Sequence, residues 1–194
     1  DPVNHPERLA SCGAPIGDNQ VKLLDDEGKE VPVGEVGEIC VRGPLVMVGY
    51  WNKPEETAKA MRHGWLYTGD LARADADGFL YIVDRSKDMI ISGGFNVFPR
   101  EVEDVLTQHP SVAAAAVIGV PDEKWGEAVK ALVVLRAGAR VTAEELIALV
   151  RKGKGAVQAP KSIDFADALP RLPSGKLATR ALKDPYWQGH ERRI

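Results

Sequence analysis

The chain has 194 residues, 44% of them hydrophobic, with 25 Lys+Arg against 28 Asp+Glu and a net charge of −3. That length is enough for one or two domains with buried cores, and the slightly acidic balance argues against a nucleic-acid partner, which needs a strongly basic face. No apolar run approaches the roughly 18–20 residues that cross a bilayer, so no transmembrane segment is expected. The N-terminal Asp1-Pro2-Val3-Asn4-His5-Pro6-Glu7-Arg8 lacks the apolar stretch of a secretory signal. The absence of an initial Met points to a piece of something longer. Two cysteines, Cys12 and Cys40, are too few for a disulfide scaffold. His5, His63, His109 and His190 stand singly, so no metal-ligating set is expected. These bounds describe a reduced, globular chain of the cytoplasm.

The first third reads as β-rich. Gln20-Val21-Lys22-Leu23-Leu24 is a strand followed by a turn through Asp25-Asp26-Glu27-Gly28. After a second turn at Gly34-Glu35-Val36-Gly37, Glu38-Ile39-Cys40-Val41-Arg42 alternates polar and apolar as a half-buried strand does. Pro54 to Met61 opens with Pro and two carboxylates, which suit the free N–H groups at a helix start. Ala76-Asp77-Gly78 is a tight turn before the strand Phe79–Val83. Beyond Asp84 the pattern changes. Pro99 opens a helix with Val102, Val105 and Leu106 on one face, stopped at His109-Pro110. Val112–Val120, ending at Pro121, and Val129–Leu135 read as buried strands. Thr142-Ala143-Glu144-Glu145 is a capping box leading a helix with Leu146, Ile147, Leu149 and Val150 inward. Lys161–Phe165 is a last strand. The fold class expected is α+β: a β-rich, barrel-like subdomain over 1–84, then a small α+β domain over 85–194 with helices on one face of a short sheet. The boundary falls at Asp84 to Asp88.

Several stretches could carry chemistry, each with a plain alternative. Tyr67-Thr68-Gly69-Asp70 puts a carboxylate after a turn-like pair, where it can accept both hydroxyls of a vicinal diol; the alternative is an ordinary turn Asp. Asp84-Arg85-Ser86-Lys87-Asp88 is a charge cluster whose default is solvated surface. Ser92-Gly93-Gly94 allows close approach of a ligand or is merely a turn; it is no phosphate loop, since Gly-x-x-x-x-Gly-Lys-Ser/Thr is absent. Trp125, in Pro121-Asp122-Glu123-Lys124-Trp125-Gly126-Glu127, is a ligand contact or folds back on the core. Lys176, in Leu172-Pro173-Ser174-Gly175-Lys176-Leu177, can neutralise charge between a carboxylate and a phosphate, or is a solvated lysine.

In this order and spacing the stretches resemble the C-terminal portion of the acyl-adenylate-forming superfamily, which holds acyl- and aryl-CoA synthetases, luciferases and peptide-synthetase adenylation domains. The resemblance spans nearly the whole chain. It rests on Gly37-Glu38-Ile39-Cys40-Val41-Arg42-Gly43-Pro44 with Gly49-Tyr50-Trp51, then Trp65-Leu66-Tyr67-Thr68-Gly69-Asp70. Asp84-Arg85 through Glu101-Val102-Glu103 and Pro173-Ser174-Gly175-Lys176 complete it. Lys87 through Pro99 looks like the fatty- and aryl-CoA ligase branch. The resemblance implies an acyl-CoA synthetase acting on a carboxylic acid, ATP and CoA, with a medium- or long-chain fatty acid as the family's expectation. It makes Asp70, Arg85 and Ile82 the AMP/ATP-binding residues, Lys176 the catalytic amine of adenylation and Lys87 the hinge. Ser92, Gly93, Gly94 and Trp125 would line the CoA tunnel.

The family's phosphate loop, its Tyr-Gly-x-Thr-Glu segment and the acyl pocket lie upstream of these motifs, as do the residues that mainly bind Mg2+. The implied partner is therefore the missing N-terminal portion of the same polypeptide, and the chain alone is expected to be inactive. Where relatives carry an aromatic-Lys pair before Ala-Pro-Lys, this chain has Val157-Gln158-Ala159-Pro160-Lys161. That difference leaves Arg151, Lys152 and Lys154 as substitute contacts for the CoA nucleotide, or as a solvated helix end. A non-catalytic CoA/AMP-binding module and an aryl-CoA ligase or peptide-synthetase relative are the alternatives.

Overall fold

A computed structural model describes residues 4–190. The chain divides into two compact units, Asp1–Lys87 and Asp88–Ile194.

The first unit is a five-stranded antiparallel sheet. It is made of β1 (Gln20–Leu24), β2 (Gly37–Arg42), β3 (Met61–Arg62), β4 (Trp65–Ala74) and β5 (Leu80–Arg85). Strand order runs β1-β2-β4, and the far edge of β4 is shared by β3 and β5. Period-two alternation puts Leu23, Ile39 and Ala72 in the core, with Val21, Val41, Leu80 and Ile82 packed around them. The helix α1 (Pro54–Ala60) forms where its proline and acidic first turn place it, but it buries no residue. The short hairpin between β3 and β4 turns through His63-Gly64, both at positive φ, the geometry a two-residue turn needs to match strand twist.

One expectation changes here. Tyr67-Thr68-Gly69-Asp70 is not a turn but the middle of the ten-residue β4. Cys40 pairs with Tyr67 and Glu38 with Leu71, so Thr68, Gly69 and Asp70 together oppose Ile39 alone. The extra residues bulge, with Gly69 at φ +77°, and a bulge bends its strand and re-aims its side chains.

The second unit has β6 (Ile90–Ser92), β7 (Phe95–Val97), β8 (Val112–Asp122), β9 (Gly126–Leu135) and β10 (Ser162–Phe165), with helices α2 (Pro99–Thr107), α3 (Ala143–Lys154) and α4 (Thr179–Trp187). β9 is the centre of the sheet. It pairs antiparallel with β8 along its length, parallel with β10, and meets β6 at Ser92↔Gly126. Val102 and Leu106, one helical turn apart on α2, and Leu146 and Val150 on α3 are fully buried against Val117, Val129 and Val133. Each such side chain contributes about 1.5–3 kcal/mol by leaving water. The capping box forms: the Glu145 N–H donates to Thr142 Oγ1 at 3.2 Å and the Thr142 N–H to Glu145 Oε2 at 2.9 Å.

The helices do not all lie on one face. Ala116 and Ile118, which alternate with Val117 along β8, face Leu182 of α4 and gather Leu132, Leu169 and Leu177 into a separate apolar cluster. α2 and α3 therefore cover one side of the sheet and α4 the other. Lys183-Asp184-Pro185 hides α4 from a periodicity reading, because an interior proline argues against a helix. Pro185 is accommodated in the last turn, where the helix is about to end.

Candidate functional site

In the first unit, the bulge on β4 fixes Asp70 and its cross-strand neighbour Arg85. Thr68 Oγ1 donates to the Ile39 carbonyl at 2.9 Å and accepts the Asp70 N–H at 3.2 Å, while the Gly69 N–H donates to Glu38 Oε1 at 2.8 Å. Arg85 Nε lies 3.3 Å from Asp70 Oδ1, with the two side chains 54% and 40% exposed. An ion pair so open holds geometry more than it adds stability, and the carboxylate keeps acceptor capacity for hydroxyls. Ile82 packs on the core cluster with Leu23, Ile39 and Ala72, so its contribution there is apolar support of the strand that ends in Arg85. Asp75, in the β4–β5 turn, accepts the N–H groups of Asp77 and Phe79 and the Tyr81 hydroxyl. The Phe79 bond foremost holds its carboxyl below the usual carboxylate range. Cys40 is fully buried, and burial, reinforced by Glu38, pushes its thiol up to about 11. A protonated, enclosed thiol is no nucleophile.

Lys87 is exposed in the short 3-10 turn Ser86–Asp88 that joins β5 to β6.

In the second unit, Ser92 and Phe95 flank the two-residue turn Gly93-Gly94, with φ +60° and +83°. Ser92 is buried at the end of β6. The Gly93 N–H donates to the Trp125 carbonyl at 2.8 Å. A Cβ on Gly93 would stand 2.5 Å from Trp125 Cε3, so the indole lies directly against the backbone, and only glycine satisfies both the turn and the ring. Asp122 Oδ1 sets the ring's position by accepting the N–H groups of Lys124 and Trp125, each at 2.9 Å. Trp125 stays 39% exposed.

Ser92, Gly93 and Trp125 are thus brought together, and two residues outside the expected site join them. Lys124 Nζ and Lys161 Nζ lie 4.9 Å and 5.4 Å from the indole centroid, within cation–π range. Of the cations named from the sequence, Lys154 is engaged elsewhere, with Glu101 at 3.5 Å. Lys161 was visible in the Ala-Pro-Lys run, but its approach to Trp125 is a tertiary fact. An open cleft of about 930 Å³ adjoins Trp125, walled by Glu127, Tyr186, Trp187 and His190.

Lys176 stands exposed on the loop between Arg171 and Leu177, which bridge in antiparallel fashion. The loop is clamped. The Leu172 N–H donates to the Lys176 carbonyl at 2.7 Å, the Gly175 N–H to the Leu172 carbonyl at 2.8 Å, and Arg171 Nη1 to the Gly175 carbonyl at 2.8 Å. Gly175 turns the chain at φ +81°. Leu177, next in sequence, packs against the apolar cluster under α4. Among the described residues the Lys176 amine makes no hydrogen bond or ion pair. A fixed backbone therefore carries an unpaired cation.

Among the described residues no group of three or more His, Cys, Asp or Glu is placed to hold a metal ion. The described residues therefore do not fit a Mg2+ site.

Residues 1–51 match the AMP-binding enzyme family, and residues 101–176 match the family's AMP-binding enzyme C-terminal domain. A medium/long-chain-fatty-acid–CoA ligase, FadD8, of Mycobacterium tuberculosis is 54% identical over 97% of this chain and 34% of its own length. A feruloyl-CoA synthase of an Amycolatopsis species is 50% identical over 88% of this chain and 35% of its own. The solved structure of the amide bond synthetase McbA from Marinactinospora thermotolerans superposes with a TM-score of 0.86 at 44% identity, covering 95% of this chain and 38% of that one. The chain spans about a third of the length of the curated relatives it matches. With both family matches falling in order along it, the chain belongs to the AMP-binding enzymes, and its second unit contains their C-terminal domain.

Proposed function

We propose that the chain serves an ATP-dependent acyl-CoA ligase, as the C-terminal portion of a longer polypeptide whose upstream part supplies the acyl pocket and the Mg2+ ligands. In the first half-reaction a carboxylate oxygen attacks the α-phosphorus of ATP, an acyl–phosphate anhydride forms and pyrophosphate leaves. In the second, the CoA sulfur attacks the acyl carbonyl; the C–S bond forms, the C–O bond to phosphate breaks, AMP leaves and the thiol proton passes to solvent.

Lys176 carries the first step. Two anions must meet there, and a preorganised ammonium lowers the cost of bringing them together. The observation that supports this most is the unpaired amine on a clamped loop. Asp70 accepts the ribose hydroxyls of the nucleotide, with Arg85 orienting it and Ile82 backing the strand. Lys87 is the pivot about which the second unit turns between half-reactions. Ser92, Gly93, Gly94 and Trp125 then line the path of the pantetheine arm, with Lys124 and Lys161 beside it.

A medium- or long-chain fatty acid is the substrate favoured by the 54% identity to a ligase of that name, ahead of an aromatic acid at 50%. An amine in place of the thiol is a second reading, favoured by the 44% identity to an amide bond synthetase. Among the described residues no helix is long and apolar enough to cross a membrane, and we assign the enzyme to the cytoplasm, where ATP and CoA are supplied.

The test is made on the full-length polypeptide. Lys176→Ala lowers acid-dependent ATP–pyrophosphate exchange by about 10²–10³-fold, the usual scale for removing one preorganised charge. It leaves thioester formation from supplied acyl-AMP within about twofold. Unchanged exchange would refute the role of Lys176, and transfer to an amine but not to CoA would establish the second reading.

A further inference from the structure

α4 begins three residues after Lys176 and is fastened along its length. Leu182 enters the apolar cluster with Ala116 and Ile118. Trp187 Nε1 donates to the Gly119 carbonyl at 2.9 Å, and the Tyr186 hydroxyl donates to Asp164 Oδ2 at 3.2 Å. Asp164 Oδ2 in turn accepts from Lys130 Nζ at 2.9 Å. These contacts tie the helix to the sheet of its own unit. A further contact reaches Asp88 instead. Lys183 Nζ lies 3.7 Å from Asp88 Oδ1, with the two side chains only 14% and 26% exposed. Asp88 is the first residue of the second unit and follows Lys87 directly. The ion pair therefore joins the helix that supports the Lys176 loop to the residue next to the pivot.

We infer that Lys183 is a positioning residue for adenylation, acting through Lys176 by way of its ion pair with Asp88. This rests on the roles proposed above for Lys87 and Lys176. A rotation at the pivot places the amine correctly only if the connection between pivot and loop has no slack. Along the chain that connection is long, running from Asp88 through the whole sheet to Gly175. The Lys183–Asp88 pair shortens it to one contact, followed by less than two helical turns and the clamped loop. Partial burial keeps the pair from being screened as a surface pair is. Misplacing a reacting group by about 1 Å costs on the order of 10²-fold in rate, so a small gain in rigidity at this point has a large kinetic effect. In the second half-reaction Lys176 has left the nucleotide, and slack in its mounting no longer matters.

The experiment uses the full-length enzyme with Lys183→Met, which keeps the length and apolar stem but removes the charge, and Lys183→Arg, which keeps the charge. Lys183→Met lowers ATP–pyrophosphate exchange by about tenfold and leaves transfer from supplied acyl-AMP to CoA within about twofold, which also shows that the variant is folded. Lys183→Arg restores exchange to within about threefold of the parent. In a Lys176→Ala background, Lys183→Met adds no further loss, because its effect passes through the missing amine. The inference is overturned if Lys183→Met slows both half-reactions alike, if it leaves exchange unchanged, if Lys183→Arg fails to restore exchange, or if the losses from Lys176→Ala and Lys183→Met multiply. Normal exchange in Lys176→Ala alone would instead overturn the function proposed for Lys176.

Discussion

Gly93→Ala separates the contact with Trp125 from everything else the second unit does. Two costs arise. At φ +60° a residue with a Cβ is strained by about 1–2 kcal/mol. The new Cβ would also stand 2.5 Å from Trp125 Cε3 and 2.9 Å from Cζ3, where carbons rest at about 3.5–4.0 Å, so the ring must retreat by about 1 Å. Trp125 is 39% exposed and can swing outward, so the clash becomes displacement more than lost stability. Gly94→Ala is the control, because Gly94 has a similar φ of +83° but nothing within 4 Å of an added Cβ. Both variants should lose about 1–2 kcal/mol in urea unfolding, and only Gly93→Ala should change the near-ultraviolet dichroism of the indole. In the full-length enzyme, Gly93→Ala should slow transfer of the acyl group to CoA by up to about 10²-fold. Adenylation should remain near the parental rate. If the indole signal moves while transfer is as fast as in Gly94→Ala, then Gly93 and Trp125 do not guide the thiol arm.

Two further outcomes concern stability. Thr142→Ala removes the side-chain acceptor of the Glu145 N–H and should cost about 1 kcal/mol, seen as a lower urea midpoint at an unchanged m-value. Asp75→Asn bears on pH. The Asp75 carboxyl is held below its ordinary 3.8, first by the Phe79 N–H, so its contribution is present above the unfolded pKa and fades as pH falls through the lower folded one. The stability gap between parent and Asp75→Asn should narrow as the solution is taken from pH 5 to below pH 3, roughly the span of an ordinary carboxylate titration; a gap constant across that range would show that the shift carries no stability.

Elements whose partners are near in sequence, or whose burial follows one period, could be read directly. β1 and β2 place Val21 with Leu23 and Ile39 with Val41 in one core cluster, α2 sets Val102 and Leu106 one turn apart, and the Thr142–Glu145 box caps α3 within a single turn. What escaped had a local signal that contradicted its tertiary setting. Thr68-Gly69 has the composition of a turn, yet β2 holds it inside β4 by lending the Ile39 carbonyl and the Glu38 carboxylate as partners. α4 carries a proline and two charges in its middle, yet Leu177 and Leu182 already have an apolar surface waiting on β8. In both cases the deciding hydrogen bonds and contacts belong to residues far away in the chain, and no window on the sequence contains them.

The site shows the same division. Residue type announces chemistry: a glycine pair, a tryptophan in a polar loop and a lysine on a Pro-Gly turn could all be named in advance. Whether they act together depends on strand register. Trp125 reaches Gly93 because Ser92 pairs with Gly126, and a one-residue slip in that pairing would turn the ring to the other face of the sheet. Lys161 reaches the same ring because β10 runs parallel to β9 and begins just beyond it, with the Lys161 N–H bonded to the Val129 carbonyl at 2.7 Å. Val157-Gln158, which brings no charge of its own, therefore does not leave the surroundings of Trp125 without cations. The cations beside Trp125 are set by the β9 ladder, whose register depends on the buried Val129, Ala131 and Val133, and not by the 157–158 segment.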